Sequence, residues 1–106
     1  MLPAGHTRPM VIVAILEVRR VELAAFREFE RLAVSAMHEH QGALERTVVV
    51  DDGASERVTE IHVVRFATEA GYQAYRASPE LAAVGHLRER SVIGTQLFIG
   101  ADGPVY

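Results

Sequence analysis

Hydrophobic residues occupy every position from Met10 to Leu16, and many of them are β-branched. Because both alternating faces of this stretch are apolar, it predicts a strand, continuing to Val18, that is covered on both sides. Over residues 21–40 the apolar residues instead recur every three or four positions, with charged residues between them. This spacing predicts an amphipathic helix that ends near Gly42 and points its charged side chains away from the core. The charged residues in question are Arg27, Glu28, Glu30 and Arg31.

The remaining apolar segments complete the order β-α-β-β-α-β. Two segments, residues 43–50 and 57–66, flank an Asp-Gly turn and predict a hairpin, and the last strand is predicted over residues 95–99. Between them, Thr68 is expected to cap a helix, which Ser78-Pro79 interrupts before one short helix restarts. With right-handed crossovers, this order predicts a ferredoxin-like α+β fold, in which a four-stranded antiparallel sheet carries its helices on one face.

The first strand also bears on assembly. Residues 10–99 are predicted to form one domain between two loose tails, residues 1–9 and 100–106, which contain glycine and proline. Helices on one face of the sheet leave the other apolar face exposed. At about 25 cal/mol per Å², covering a few hundred Å² of it contributes several kcal/mol, so we expect a homodimer in which two sheets pair and enclose a space.

Composition excludes several function classes. The formal net charge of -3 leaves no surplus of positive charge, which argues against binding to nucleic acids or anionic membranes. The chain has no cysteine, which removes thiolate catalysis and Cys-ligated metal centres and is compatible with the reducing cytoplasm, where we expect the protein. The apolar run from Met10 is far shorter than the roughly 20 residues that span a bilayer. Because no nucleotide-binding fingerprint is present, we expect no cofactor.

Two polar clusters invite a functional reading. His38 and His40 lie two positions apart on the predicted helix, so their rings point to different sides, and we expect a solvated helix end and no metal site. His86, Arg88 and Arg90 could hold a carboxylate or phenolate. We expect these three residues to complement the C-terminus of the second helical region instead.

The element order, the segment from Val63 to Ala70, the Ser-Pro-Glu sequence at residues 78–80 and the Gly42 turn resemble the dimeric α+β barrel superfamily. Within it, the chain is most similar to a small family of unknown function and more distantly similar to the antibiotic-biosynthesis-type monooxygenases. The resemblance implies the fold and a dimer. Members include cofactor-free monooxygenases, haem-degrading enzymes, isomerases and proteins without a known role.

The resemblance also implies candidate site residues. In the cofactor-free monooxygenases a strand carries an Asn and, four residues later, a Trp, followed by a Tyr on the helix; the corresponding positions here are His62, Phe66 and Tyr72. Tyr75 stands where many relatives place a histidine. Independently, period-two alternation puts Glu60, His62 and Phe66 on one strand face, which we expect to face the interior of the barrel.

These residues support two hypotheses. In the first, the protein is a cofactor-independent enzyme, monooxygenase-like or isomerase-like, for a small apolar or aromatic molecule. His62 and Tyr72 are then catalytic, since an imidazole can act as general acid or base, while Glu60, Phe66 and Tyr75 contact the substrate. In the second, the same side chains fill the interior of a non-catalytic ligand-binding or interaction dimer. A cavity of roughly 300 Å³ or more that reaches His62 favours the first hypothesis.

Overall fold

In the computed structural model, which describes residues 9–106, one four-stranded antiparallel sheet carries four α-helices on one face. The elements are β1 (Met10–Arg19), a 3-10 turn (Arg20–Glu22), α1 (Leu23–Glu39), β2 (Gly42–Val50), β3 (Arg57–Phe66), α2 (Glu69–Arg76), α3 (Pro79–Ala83), α4 (Gly85–Ser91) and β4 (Val92–Gly100). The strand order is β2-β3-β1-β4. The predicted ferredoxin-like α+β fold is therefore confirmed. Most of the predicted N-terminal tail, residues 1–8, lies outside the described residues.

The register places β1 at the centre of the sheet. Its residues pair with β3 from Met10 opposite Phe66 to Arg19 opposite Arg57, and with β4 on the other side. These neighbours pair with the backbone of β1 along both of its edges, whereas its two faces need other cover. Ile12, Leu16 and Val18 are buried beneath the helices.

The core lies between the sheet and the helices in two clusters. The long helix α1 contributes to both, with buried residues at the predicted spacing of three to four: Phe26, Phe29, Ala33, Ala36 and Met37. One cluster gathers around Phe66 at the end of β3, and the other around Val18 at the end of β1. The middle of β3 carries polar residues between these two apolar regions.

The predicted cap at Thr68 is present, and Ser78 caps the following helix in the same way. The Thr68 hydroxyl accepts a hydrogen bond from the backbone N–H of Gly71 at 2.9 Å, and the Ser78 hydroxyl accepts one from Leu81 at 3.2 Å. Each cap satisfies a backbone donor that has no partner inside its helix. The single short helix expected after Pro79 is instead divided into α3 and α4 at Val84, directly before Gly85, a poor helix former.

The end of α1 differs from the sequence-based expectation. Gln41, and not Gly42, adopts the left-handed conformation after the helix, with φ of 61°. Gly42 has another role, because a Cβ atom at this position would overlap the buried ring of Phe66. Glycine is therefore required here for close packing between β2 and the Phe66 ring rather than for backbone freedom.

We predict that Gly42→Ala lowers the free energy of unfolding by about 1–3 kcal/mol, the usual cost of overpacking a core. Urea denaturation measures the effect. Gly85→Ala is the matched control, since a Cβ at Gly85 meets no atom within 4 Å. An unchanged midpoint for Gly42→Ala would show that the Phe66 ring moves without cost.

Candidate functional site

Strand β3 turns two polar residues, Glu60 and His62, toward the helices. Glu60, His62 and Phe66 are buried beneath them, whereas Ile61 and Val63 are half-buried on the opposite face. The expectation that the face with His62 and Phe66 lines a space between two sheets is therefore wrong. Alternation along a strand shows which residues share a face. It does not show which face of the sheet the helices cover, because both faces of the neighbouring strand β1 are apolar.

The site residues are nevertheless brought together. A cavity of about 590 Å³ lies between the helices and the sheet, and His62, Phe66, Tyr72 and Tyr75 all line it. Glu60 lies behind His62 and is fully buried. The candidate site thus lies within one chain, on the helix side of its sheet. Its volume lies within the range of roughly 300–1,000 Å³ that small-ligand pockets occupy.

Charged side chains surround His62. Its Nε2 lies 2.9 Å from Oε1 of Glu60, and its Nδ1 lies 3.4 Å from Oε2 of Glu30 on α1. The guanidinium of Arg27, also on α1, forms an ion pair with the other oxygen of Glu60. The ring of Phe26 lies beside the imidazole, with centroids 6.3 Å apart. Both ring nitrogens of His62 therefore face carboxylates.

The two carboxylates differ in their proton affinity. Burial alone would raise the pKa of Glu60, but its contacts with His62 and Arg27 outweigh this and hold the pKa below its ordinary value. For Glu30, burial dominates and raises the pKa, and only part of the rise is offset by His62. Glu60 is therefore the more firmly ionised group, and Glu30 is the one that takes up a proton more readily.

Sequence reasoning missed Glu30 and placed Arg27 and Glu30 on the outer side of the helix. In the structure Glu30 lines the cavity and Arg27 reaches the buried Glu60. The signal for Glu30 was present, since it lies four positions after Phe26 and three before Ala33 and so shares their helix face.

The far end of the cavity is aromatic. Tyr72 meets the ring of Phe66 edge-on at 5.4 Å between centroids, and Tyr75 lies 5.3 Å from the same ring. Burial raises the pKa of Tyr75 to about 12, so its hydroxyl keeps its proton at neutral pH. The Tyr72 hydroxyl accepts a hydrogen bond from Arg76 at 3.0 Å.

Arg76 and Arg88 form a cationic side of the cavity. Arg88 donates to the hydroxyl of Thr95 at 2.7 Å, and within residues 9–106 neither arginine has a carboxylate within ion-pair distance. His86, Arg88 and Arg90 do not form one cluster, because Arg90 pairs with Glu22 at 2.6 Å and His86 is exposed. Arg88 and Arg90 lie in the last turn of α4, as expected for residues that complement a helix C-terminus, and His86 does not.

The two histidines at the end of α1 lie apart from this cavity. His38 is exposed and His40 half-buried. Among the residues that the structure describes, no three potential ligand side chains are grouped in a way that could hold a metal ion. None of the described helices is both long and apolar enough to cross a membrane.

Comparison with solved structures identifies several with the same fold. A protein of unknown function from Rhodopseudomonas palustris superposes with a TM-score of 0.77 at 10% identity, over 92% of this chain and 85% of that one. SnoaB, a cofactor-independent oxygenase from Streptomyces nogalater, gives 0.69 at 9% identity, over 93% and 97%. A proposed antibiotic biosynthesis monooxygenase from Caulobacter crescentus gives 0.69 at 12% identity, over 93% of both chains.

No family model and no curated protein matches the sequence. The structural likeness nonetheless spans nearly all of the chain, and it confirms the predicted fold. At these identities, the likeness extends to architecture and not to activity.

We predict that Glu60→Gln lowers the free energy of unfolding at neutral pH by about 1–3 kcal/mol, because His62 and Arg27 lose their charged partner. The lowered pKa of Glu60 stabilises the native state above the ordinary glutamate range, and this contribution disappears as the pH falls through the folded-state value. The difference between wild type and variant should therefore shrink on acidification.

Urea denaturation over a series of pH values measures this difference. Glu28→Gln is the matched control, since the ion pair between Glu28 and Arg31 is exposed on the surface of α1 and should contribute little to stability. An equal effect of the two substitutions at neutral pH would contradict a stabilising role for the buried network.

Proposed function

We propose that the protein is a cofactor-independent enzyme that binds a small apolar or aromatic molecule in the cavity between its sheet and its helices. The observation that carries this proposal is a buried acid–base group, His62 with its two carboxylates, beside an otherwise largely apolar cavity. Such a combination of a concave apolar site and converging titratable groups is typical of active sites.

The roles follow from position. The acid–base group formed by His62 and its two carboxylates supplies proton exchange, and Tyr72 offers a hydroxyl at the aromatic end of the cavity. Phe66 and Tyr75 form the aromatic wall against which a planar molecule packs. Arg76 and Arg88 face the cavity with hydroxyl partners only, and would attract a negatively charged oxygen of the ligand.

Two reaction classes agree with these groups. Proton abstraction next to a carbonyl begins both an isomerisation and the attack of an activated aromatic or enolate carbon on oxygen. SnoaB, a cofactor-independent oxygenase with the same fold, supports the monooxygenase-like version. His62 and Phe66 replace the Asn and Trp that the cofactor-free monooxygenases carry, which supports a different proton-transfer chemistry in this chain.

One observation favours the alternative, a non-catalytic ligand-binding dimer. Both nitrogens of His62 already face carboxylates, so the imidazole has no free nitrogen for a ligand. In that case the charged network serves stability, and the cavity binds a molecule without changing it.

We also propose that two copies pair through the helix-free face of the sheet. Val13 lies at the centre of this face, between Val63 on β3 and Phe98 on β4. The side chains around it are apolar and partly exposed, and Phe98 is 56% exposed. Burial of this face against an identical one follows two-fold symmetry and removes the apolar patch from water.

For the dimer, we predict that Val13→Asp converts the protein to a monomer, because an unpaired carboxylate would lie at the centre of the interface. Light scattering at micromolar concentration measures the mass. Val21→Asp is the matched control, since Val21 is 89% exposed and lies outside the sheet. A wild-type protein that is a stable monomer would contradict the proposal.

For the cavity, we predict that small aromatic ketones and phenols bind to the wild type and not to Ala14→Phe. Ala14 lines the cavity from β1, so a phenyl ring there would occupy the ligand's space. Ligand-observed NMR measures binding, and Ala24→Phe, at an exposed position of α1, is the control. Equal binding to both variants would place the ligands elsewhere, on the open sheet face for example.

A further inference from the structure

The contact with Glu60 determines whether Nε2 of His62 carries a hydrogen. Glu60 is fully buried, pairs with Arg27 through one oxygen and contacts Nε2 of His62 through the other at 2.9 Å. A carboxylate that is held ionised can only accept at this contact, so Nε2 must carry a hydrogen. Glu60 thus fixes the tautomer and leaves Nδ1 as the variable position of the ring.

Nδ1 faces Glu30. At 3.4 Å from Oε2 the two groups can share one proton, either as imidazolium and carboxylate or as neutral imidazole and carboxylic acid. Neither arrangement leaves His62 a free nitrogen for a third molecule. Glu30 and His62 both line the cavity, but the side chain of Glu30 is 15% exposed, against 6% for His62, and Glu60 has no exposed side-chain area.

We propose that Glu30 is the group that exchanges protons with the molecule in the cavity. His62 is a positioning residue, which shares a proton with Glu30 through its Nδ1. The inference rests on the proposed function, since it requires a ligand in this cavity. It assigns the contact with the ligand to a residue on α1 that lies outside the strand motif.

The step is a proton abstraction. A C–H bond next to a carbonyl of the bound molecule breaks, its proton forms an O–H bond with the Glu30 carboxylate, and the electron pair remains on the ligand as an enolate. Return of the proton to the same carbon restores the ligand, whereas return to another carbon isomerises it. No oxidant or further reactant is needed for this step.

The charges around Glu30 set its pH dependence. It faces His62 and Glu60 on β3, Arg27 on its own helix, Tyr75 on α2 and Arg88 on α4. Burial dominates and raises its pKa, while the charge of His62 lowers it. The carboxylate is the active base, so proton abstraction should increase with pH over a range above that of an ordinary glutamate.

Deuterium exchange into 2-tetralone, a ketone fused to an aromatic ring, tests the proposal. The ketone is incubated with the protein in D₂O, and proton NMR follows the loss of the C–H signals next to the carbonyl. We expect the wild type to accelerate exchange and Glu30→Gln to reduce the protein-catalysed rate about 100-fold or more, the usual contribution of a general base. Glu30→Asp, which keeps the carboxylate, should recover part of it.

Two further variants separate chemistry from structure. Glu28→Gln, on the same helix and paired with Arg31 at the surface, should exchange as the wild type does. His62→Gln should retain more exchange than Glu30→Gln and shift the pH profile to higher pH, because it removes a charge that lowers the pKa of Glu30. Thermal unfolding verifies that every variant is folded.

The outcomes distinguish this inference from the proposed function. Exchange that survives Glu30→Gln but is lost in a folded His62→Gln would overturn the role of Glu30 and leave an enzyme centred on His62. Binding of 2-tetralone without any accelerated exchange would overturn the inference and leave a ligand-binding cavity. If ligand-observed NMR detects no binding of 2-tetralone to the wild type, both are overturned.

Discussion

The packing of the helices against the sheet depends on two charged residues, Glu60 and His62, that are buried at the middle of β3. Glu60 and His62 occupy successive positions of β3 that face the helices, and they are 0% and 5% exposed. An unpaired charge cannot remain there without a large loss of stability, so opposite charges have to reach it. Arg27 and Glu30 provide them from neighbouring turns of α1, and this requirement couples the rotation of the long helix about its axis to the register of β3.

The same charges divide the interior into regions of different chemistry. Apolar residues close the two ends of the layer between sheet and helices, around Phe66 and around Val18. Between them, the polar groups prevent the side chains from forming one continuous apolar core, and a cavity of about 590 Å³ opens beside them. The candidate site thus lies within one chain, and the opposite face of the sheet is the one through which we propose that two copies pair.

The fold tolerates very different sequences, as the neighbours at about 10% identity demonstrate. What distinguishes this chain is the set of side chains in the cavity. An imidazole held between two carboxylates is the feature on which the proposed proton exchange rests. The architecture is shared, and the chemistry has to be derived from residues such as Glu30 and His62.

The sequence by itself determined the order of elements, the cap at Thr68, the helix start at Pro79, the hairpin between β2 and β3, and the common face of His62 and Phe66. These features depend on local periodicity and turn chemistry. Only the tertiary structure decided which sheet face the helices cover, since both faces of β1 are apolar. It also decided that Glu30 meets His62 and that Gly42 makes room for Phe66. These contacts join residues far apart in the chain, and no local pattern contains the distance between them.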